Sequence, residues 1–312
     1  MNVAVTIPPD FDQFWAATLR EVLSTPIADT CEADPAWSSS QVVVEHVTLA
    51  SLGQARVHGW LFTPSKARHG ALLYLPGYST STHTELLMRI YQQMAAFGFV
   101  LLGLDPRGQG ASRAAHPPVP EGKLLTGITS PQEHIYRGIL ADCVQGARYL
   151  INRAGVSRVG VGGHSQGGGL ALMTASLAPN LVGSVTAMIP FLTHYRLHAA
   201  RRHAIGPYSE ITAYLQTHPE EEEPLLHVLS YFDTMAHAGR ITAPTLLSMG
   251  LADTTCPPES VLALHQAIPG MRALITFPET GHTNSPHFYH HIVQWHRRYL
   301  SSAAIALEDL QL

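Results

Sequence analysis

The 312-residue sequence predicts an α/β fold: a mostly parallel sheet with helices on both faces and a segment inserted late in the chain. Three observations carry that expectation. From Ala71 onward, short apolar runs alternate with longer stretches of helical period. One run passes into one such stretch through the pentapeptide Gly163-His164-Ser165-Gln166-Gly167. The stretch from Pro190 to Arg240 then interrupts the alternation, with helical patterns but no core strand.

Taken in order, Phe11–Val22 has apolar residues at helical spacing and predicts an N-terminal helix packed on the body. Gln41–Leu49 and Gln54–Phe62 read as strands joined by the turn Ser51-Leu52-Gly53, an antiparallel pair at the sheet edge. Core strands are expected at Ala71–Leu75, Phe99–Leu104, Val156–Gly162, Leu181–Ile189, Thr245–Met249 and Arg272–Phe277. Helices are expected at His83–Phe97, His134–Arg153, Gln166–Ala178, Ser260–Ala267 and Pro286–Leu300. Strands that alternate with helices pair in parallel, because each crossover returns the chain to the same end of the sheet. The insertion adds helical patterns at Tyr195–Arg202 and Pro207–Gln216. The whole is read as one domain over residues 1–312, with the N-terminal helix and edge strands at about 11–62 and a cap-like insertion at about 190–240. An insertion between two sheet strands folds over their C-terminal ends, where open α/β sheets bind ligands.

Composition narrows the function. Hydrophobic residues make up 46% of the chain and charged residues 13%, which suits a sizeable core. A net charge of -4 offers no basic surface for nucleic acid, and no apolar run is long enough to span a bilayer. The acidic run Glu220–Glu223, between Pro219 and Pro224, reads as a solvated loop or helix start. The N-terminus lacks the basic-then-apolar pattern of a secretory signal, and three cysteines at unpaired spacing fit a reduced, cytoplasmic setting.

The pentapeptide carries the chemistry. A Gly-x-Ser-x-Gly between strand and helix is a nucleophile elbow, a turn too tight for side chains at its flanks, which lifts the Ser165 hydroxyl to a helix start. A serine hydroxyl is a weak nucleophile at neutral pH and needs a base, itself oriented by a carboxylate. On this architecture the chain order is nucleophile, acid, histidine, with the last two on loops after late strands. Asp253 follows Thr245–Met249, and His282 follows Arg272–Phe277 directly after a glycine, so these two are the candidate acid and base. Asp233 lies in the insertion and Glu279 on the wrong side of the turn. The oxyanion hole needs two N–H groups. Gln166, just after the nucleophile, supplies one; the loop Pro76-Gly77-Tyr78 supplies the other through Tyr78, since Pro76 has no N–H. Asp105, Arg107 and Gln109, on the loop after Phe99–Leu104, are assigned to structural support, with an Asp105–Arg107 pair bracing the loop and Asp142 as a further brace.

With these residues in place the chain resembles the acetylxylan esterase and cephalosporin-C deacetylase family, carbohydrate esterase family 7, of the α/β-hydrolase superfamily. The resemblance rests on Arg107-Gly108-Gln109-Gly110, on Gly163-His164-Ser165-Gln166-Gly167 and on the stretch Gly250–Pro258 that bears Asp253. It extends to Phe11–Trp15, Pro207–Ile211 and Leu229–Asp233, nearly the length of the chain. It implies a serine esterase that removes acetyl groups from acetylated xylo-oligosaccharides or cephalosporin C, with no cofactor or metal, assembled as a cytoplasmic homohexamer. It also implies the triad Ser165, Asp253 and His282, with Tyr78 and Gln166 as oxyanion donors. Two positions depart from the family: His282-Thr283 stands where His-Glu is usual, and Pro76-Gly77-Tyr78 where His-Gly-Tyr is usual. A general short- or medium-chain carboxylesterase with a changed acyl pocket is the alternative.

Other classes fare worse. A non-catalytic scaffold has no need of a complete triad. A dienelactone-type hydrolase carries Cys at the nucleophile position, and nothing in the sequence points to a peptidase. His287, His290, His291 and His296 share helical spacing but lack an acidic or Cys partner at ligand spacing, so a histidine-rich solvated helix is the expected reading. No dinucleotide fingerprint or P-loop is present.

Overall fold

The computed structural model describes residues 5–66, 69–201, 204–283 and 286–300, and for Pro286 and His287 the backbone alone. The strands are β1 (Asp29–Ala33), β2 (Val42–Ala50), β3 (Arg56–Pro64), β4 (Ala71–Leu75), β5 (Val100–Asp105), β6 (Val159–His164), β7 (Val182–Met188), β8 (Thr245–Gly250) and β9 (Arg272–Phe277). They form one nine-stranded sheet in the order β1-β2-β3-β5-β4-β6-β7-β8-β9. The first three strands pair antiparallel, and β3 joins β5 antiparallel; from β5 to β9 every pairing is parallel. The antiparallel edge therefore has three strands rather than two. The added one, β1, is exposed along its whole length and shows no alternation.

The helices are α1 (Phe11–Ser24), α2 (Glu85–Ala96), α3 (Ile135–Ala154), α4 (Gln166–Leu177), α5 (Tyr195–Ala199), α6 (Tyr208–Thr217), α7 (Glu222–Ser230), α8 (Thr234–Ala238), α9 (Pro258–Ala267) and α10 (Pro286–Leu300). The two-residue period of a strand divides the core between the sheet's faces. Along β4, Ala71, Leu73 and Leu75 join the cluster containing α1, α3, α4, α8 and α9. Leu72 and Tyr74 point the other way, into a cluster with Met88, Tyr91 and Met94 of α2 and Phe288, Ile292 and Val293 of α10. Both faces are covered, which is why these strands read as continuous apolar runs.

The insertion between β7 and β8 contains α5 to α8. The acidic run is its third helix start: Glu222 and Glu223 lie in the first turn of α7, where the helix dipole favours negative charge. The pattern read as Tyr195–Arg202 is helical only to Ala199, and Arg202 lies outside the described residues. The N-terminal helix packs on this insertion. Phe14 meets the Tyr231 ring edge-on at 4.8 Å, and the Trp15 indole N–H donates to Tyr231 O at 3.3 Å.

One expected contact is replaced by others. Arg107 does not pair with Asp105. It donates through Nε and a terminal nitrogen to Asp142 at 2.9 and 2.7 Å, and that terminal nitrogen also donates to Leu52 O at 3.0 Å. Asp105, fully buried, instead accepts from the Ser81 and Thr82 hydroxyls and from the N–H groups of Thr82 and Ala111. Each carboxylate is saturated by a different set of donors, so both brace the loop without touching each other.

Candidate active site

Four loops leave the C-terminal ends of β4, β6, β8 and β9, and they bring the candidate residues to one edge of the sheet. The sharpest is at Ser165, which sits between β6 and α4 with φ 55° and ψ -115°. Backbone bonds on both sides hold it there: Ser165 N–H donates to Met188 O at 2.9 Å, and Ser165 O accepts from Gly169 N and Phe191 N. Glycine is required at both flanks. A Cβ on Gly163 would lie 2.5 Å from Leu75 O, and one on Gly167 only 1.9 Å from it.

His282 reaches Ser165 from the loop after β9, with Nε2 2.9 Å from Ser165 Oγ. Its Nδ1 lies 2.9 Å from Asp253 Oδ2, on the loop after β8. The other carboxylate oxygen of Asp253 accepts from the N–H groups of Thr255 and Cys256 at 2.9 and 2.8 Å, so the acid is oriented before it meets the imidazole. A proton on Nδ1 is donated to Asp253 and leaves Nε2 free to accept from the serine. Asp253 is buried, while the His282 side chain keeps 25% exposure, which leaves the base open to water and substrate.

Gln166 opens α4 directly after the serine and Tyr78 lines the same cavity as Ser165; neither N–H donates to a protein acceptor among the described residues. Gln109 braces them: its Nε2 donates to Gly77 O at 3.2 Å and Thr80 O at 2.9 Å, and its Oε1 accepts from Gln166 Nε2 at 2.8 Å. Asp233 serves a different end. It caps α8 through Met235 N–H and binds the N–H groups of His194 and Tyr195.

Three nearby side chains were not singled out from sequence. Glu210, on α6, accepts the Tyr78 hydroxyl on both oxygens, at 2.7 and 2.8 Å, and Leu124 N–H at 2.9 Å. Burial pushes its carboxyl above the usual range. Lys123, 2% exposed, places its amine on Gln109 and Gln166. Burial draws this amine down to about 7. His164 is held neutral, lowered to about 4 by burial and by His282, and its buried Nε2 has no partner among the described residues. A lone Lys in Gly122-Lys123-Leu124 carries no spacing signal, and Glu210 stood inside a recognised stretch without a role.

Beside Ser165 opens a cavity of about 430 Å³, lined by Pro76, Leu87, Tyr91, Met188, Pro207 and Tyr289 among others. The ligand-type atoms of Asp253, Cys256 and His282 lie within 4.8 Å of one another. Asp253 and His282 are already bonded to each other, and His282 to the Ser165 hydroxyl, and burial raises the Cys256 thiol well above its usual range. On α10, His296 turns into the core and bonds the hydroxyls of Ser184 and Thr186, whereas His290 and His291 are exposed. The side chain of His287 lies outside the described residues.

A mostly parallel sheet with a serine at a strained strand–helix turn, and aspartate and histidine after its last two strands, defines an α/β-hydrolase. The chain belongs to the acetyl xylan esterase (AXE1) family, which it matches over residues 2–299. Its fold is similar to that of acetyl xylan esterase 1 from Thermoanaerobacterium sp. JW/SL YS485, with TM-score 0.88, 28% identity and 96% of each chain covered. The acetyl xylan esterase from Paenibacillus sp. R4 matches with TM-score 0.86 and 30% identity, over 96% of this chain and 97% of that one. Acetyl esterase Axe7A from Xylanibacter ruminicola is 25% identical over 286 residues, 88% of this chain. The chain spans 63% of the length of that relative. The acylaminoacyl peptidase of Pyrococcus horikoshii shares the fold alone, at 16% identity and TM-score 0.65.

Proposed function

We propose that this protein is a serine carboxylic-ester hydrolase that removes acetyl and other short acyl groups from small esters, such as acetylated xylo-oligosaccharides or cephalosporin C. The observation that carries the reading is the hydrogen-bonded line Ser165–His282–Asp253, with the Tyr78 and Gln166 N–H groups lacking a protein acceptor among the described residues. Ser165 Oγ bonds to the ester carbonyl carbon as its proton passes to His282 Nε2, with Asp253 holding the imidazole. The N–H groups of Tyr78 and Gln166 stabilise the oxyanion. The intermediate collapses, the C–O bond to the alcohol breaks, and His282 returns the proton to the leaving oxygen. Water then attacks the acyl-serine by the same route and releases the carboxylic acid. Activity falls in acid, because a protonated imidazole cannot accept the serine proton.

The cavity beside Ser165 favours a second reading on the same chemistry. About 430 Å³ with mostly apolar walls exceeds what an acetyl group fills, so a short- or medium-chain carboxylesterase with a widened pocket is the alternative. Hydrolysis of p-nitrophenyl esters from acetate to octanoate, with Ser165→Ala protein alongside, tests both. Steep preference for acetate supports the first reading, and good turnover of butyrate or longer esters supports the second. Ser165→Ala lowers kcat by about four decades or more under either; retained turnover in that variant overturns both.

Membership of the family supports a homohexamer, whose mass sedimentation analysis checks directly, and three free cysteines support a reducing, cytoplasmic setting. Among the described residues no helix is long and apolar enough to cross a membrane.

A further inference from the structure

Lys123 lies just behind the oxyanion loop, on the short turn that precedes α3. Its Nζ donates to Gln109 Oε1 at 2.5 Å and to Gln166 Oε1 at 3.4 Å, and it stands 4.6 Å from the centre of the Tyr78 ring. Its backbone N–H donates to the Tyr78 hydroxyl at 2.9 Å. One residue therefore touches the side chains of both proposed oxyanion donors and of the glutamine that ties them together. Gln166 Oε1 also accepts from Tyr136 OH at 2.8 Å, so the first residue of α4 is held from two sides.

This is a costly place for an amine. Among the described residues its hydrogen-bond partners are two neutral amide oxygens, with no carboxylate in direct contact. A buried cation without a bonded counter-ion is destabilising, and an apolar side chain would fill the same volume at lower cost. The charge gains its compensation where negative charge appears during reaction, between the N–H groups of Tyr78 and Gln166.

We propose that Lys123 is a positioning residue of the oxyanion site: its ammonium group locks the Gln109–Gln166 amide pair and the Tyr78 ring in place and adds positive potential to the developing oxyanion. The proposal rests on the reading of Ser165, Tyr78 and Gln166 given above. The groups facing the amine are Glu210 on α6, Asp105 at the end of β5, Arg113 on the turn after it and Tyr78. Burial is the main effect that lowers the amine to about 7 and Arg113 adds to it, while Glu210 and Asp105 oppose it. The amine thus changes charge in the range where an esterase works, and an adjacent anion favours the protonated form.

Lys123→Met removes the charge and keeps the stem. The expected result is a kcat for p-nitrophenyl acetate about 10- to 100-fold lower, with KM changed by less than about threefold. The ratio of native to variant kcat should be largest in acid and shrink as pH rises through about 7, because the native lysine then loses its own charge. Equal kcat, or a defect of the same size at every pH, overturns the proposal. If Lys123→Met does not fold, nitrogen-15 NMR of the native protein decides the matter. The Lys123 amine should titrate at higher pH once methylboronic acid forms its anionic adduct on Ser165, and an unmoved titration overturns the proposal. Ser165→Ala is measured in parallel. Turnover retained there defeats the reading of the site itself, whereas an inactive Ser165→Ala with an unimpaired Lys123→Met defeats only the role of the lysine.

Discussion

Asp142 holds the buried guanidinium of Arg107 with both oxygens and takes a third bond from Arg107 N–H. Neither side chain is more than 8% exposed, so nothing replaces the carboxylate if it is lost. Asp142→Asn leaves a buried cation without its counter-charge and should lower stability by about 3–5 kcal/mol in urea unfolding. Sequence pointed to both residues as braces but to the wrong partner, because pairing by nearness along the chain ignores that β5 ends beside α3. Ser165, Asp253 and His282 were legible for a physical reason: the tight turn demands glycine, and the base and its acid must lie at later strand ends. Lys123 and Glu210 were not, since a single charged residue looks the same on a surface loop as behind an oxyanion site.

At the scale of elements, α6 carries the insertion's contact with the Tyr78 hydroxyl. Glu210 on this helix fixes the Tyr78 hydroxyl, and with it the loop that offers the Tyr78 N–H. Glu210→Gln keeps one accepting oxygen of two and should cut kcat about tenfold through a looser loop, with a urea midpoint close to native. Equal kcat would mean that the loop keeps its shape without α6. Strand and helix limits were readable where apolar period is strong: Ala71–Leu75, Arg272–Phe277 and Pro286–Leu300 fall where sequence put them. They were not readable where burial is slight. β1 exposes all five residues, and α8 is a five-residue helix begun by the Asp233 cap, too short for a period to register.

Across the whole molecule, five histidines shielded from water set the response to acid. His134 and His164 are lowered to about 4, and His198, His237 and His296 to about 3, each chiefly by burial. The unfolded chain protonates them near 6.5, so it binds more protons than the native state between that pH and the lowered values. Their contribution to stability is complete above about 6.5 and is lost progressively as pH falls toward 4 and 3. Glu210 and Asp233 are raised by burial and act in the opposite sense, whereas His58, His116 and His265 are also lowered and add to the five. The urea midpoint should therefore drop steeply from about pH 7 to 4.5; a level midpoint over that range would contradict the buried, neutral state of these rings.

The sheet order also has a consequence for synthesis. β3 ends at residue 64, but its inner neighbour is β5, which ends at residue 105, rather than the next strand in sequence. On a ribosome adding about 5–20 residues each second, the finished β2–β3 hairpin waits for roughly 2–8 seconds with one edge unpaired. Such an edge is a template for pairing with another nascent chain. The yield of soluble protein should thus be decided early in translation, over the stretch between β3 and β5, well before the serine at the elbow has been made.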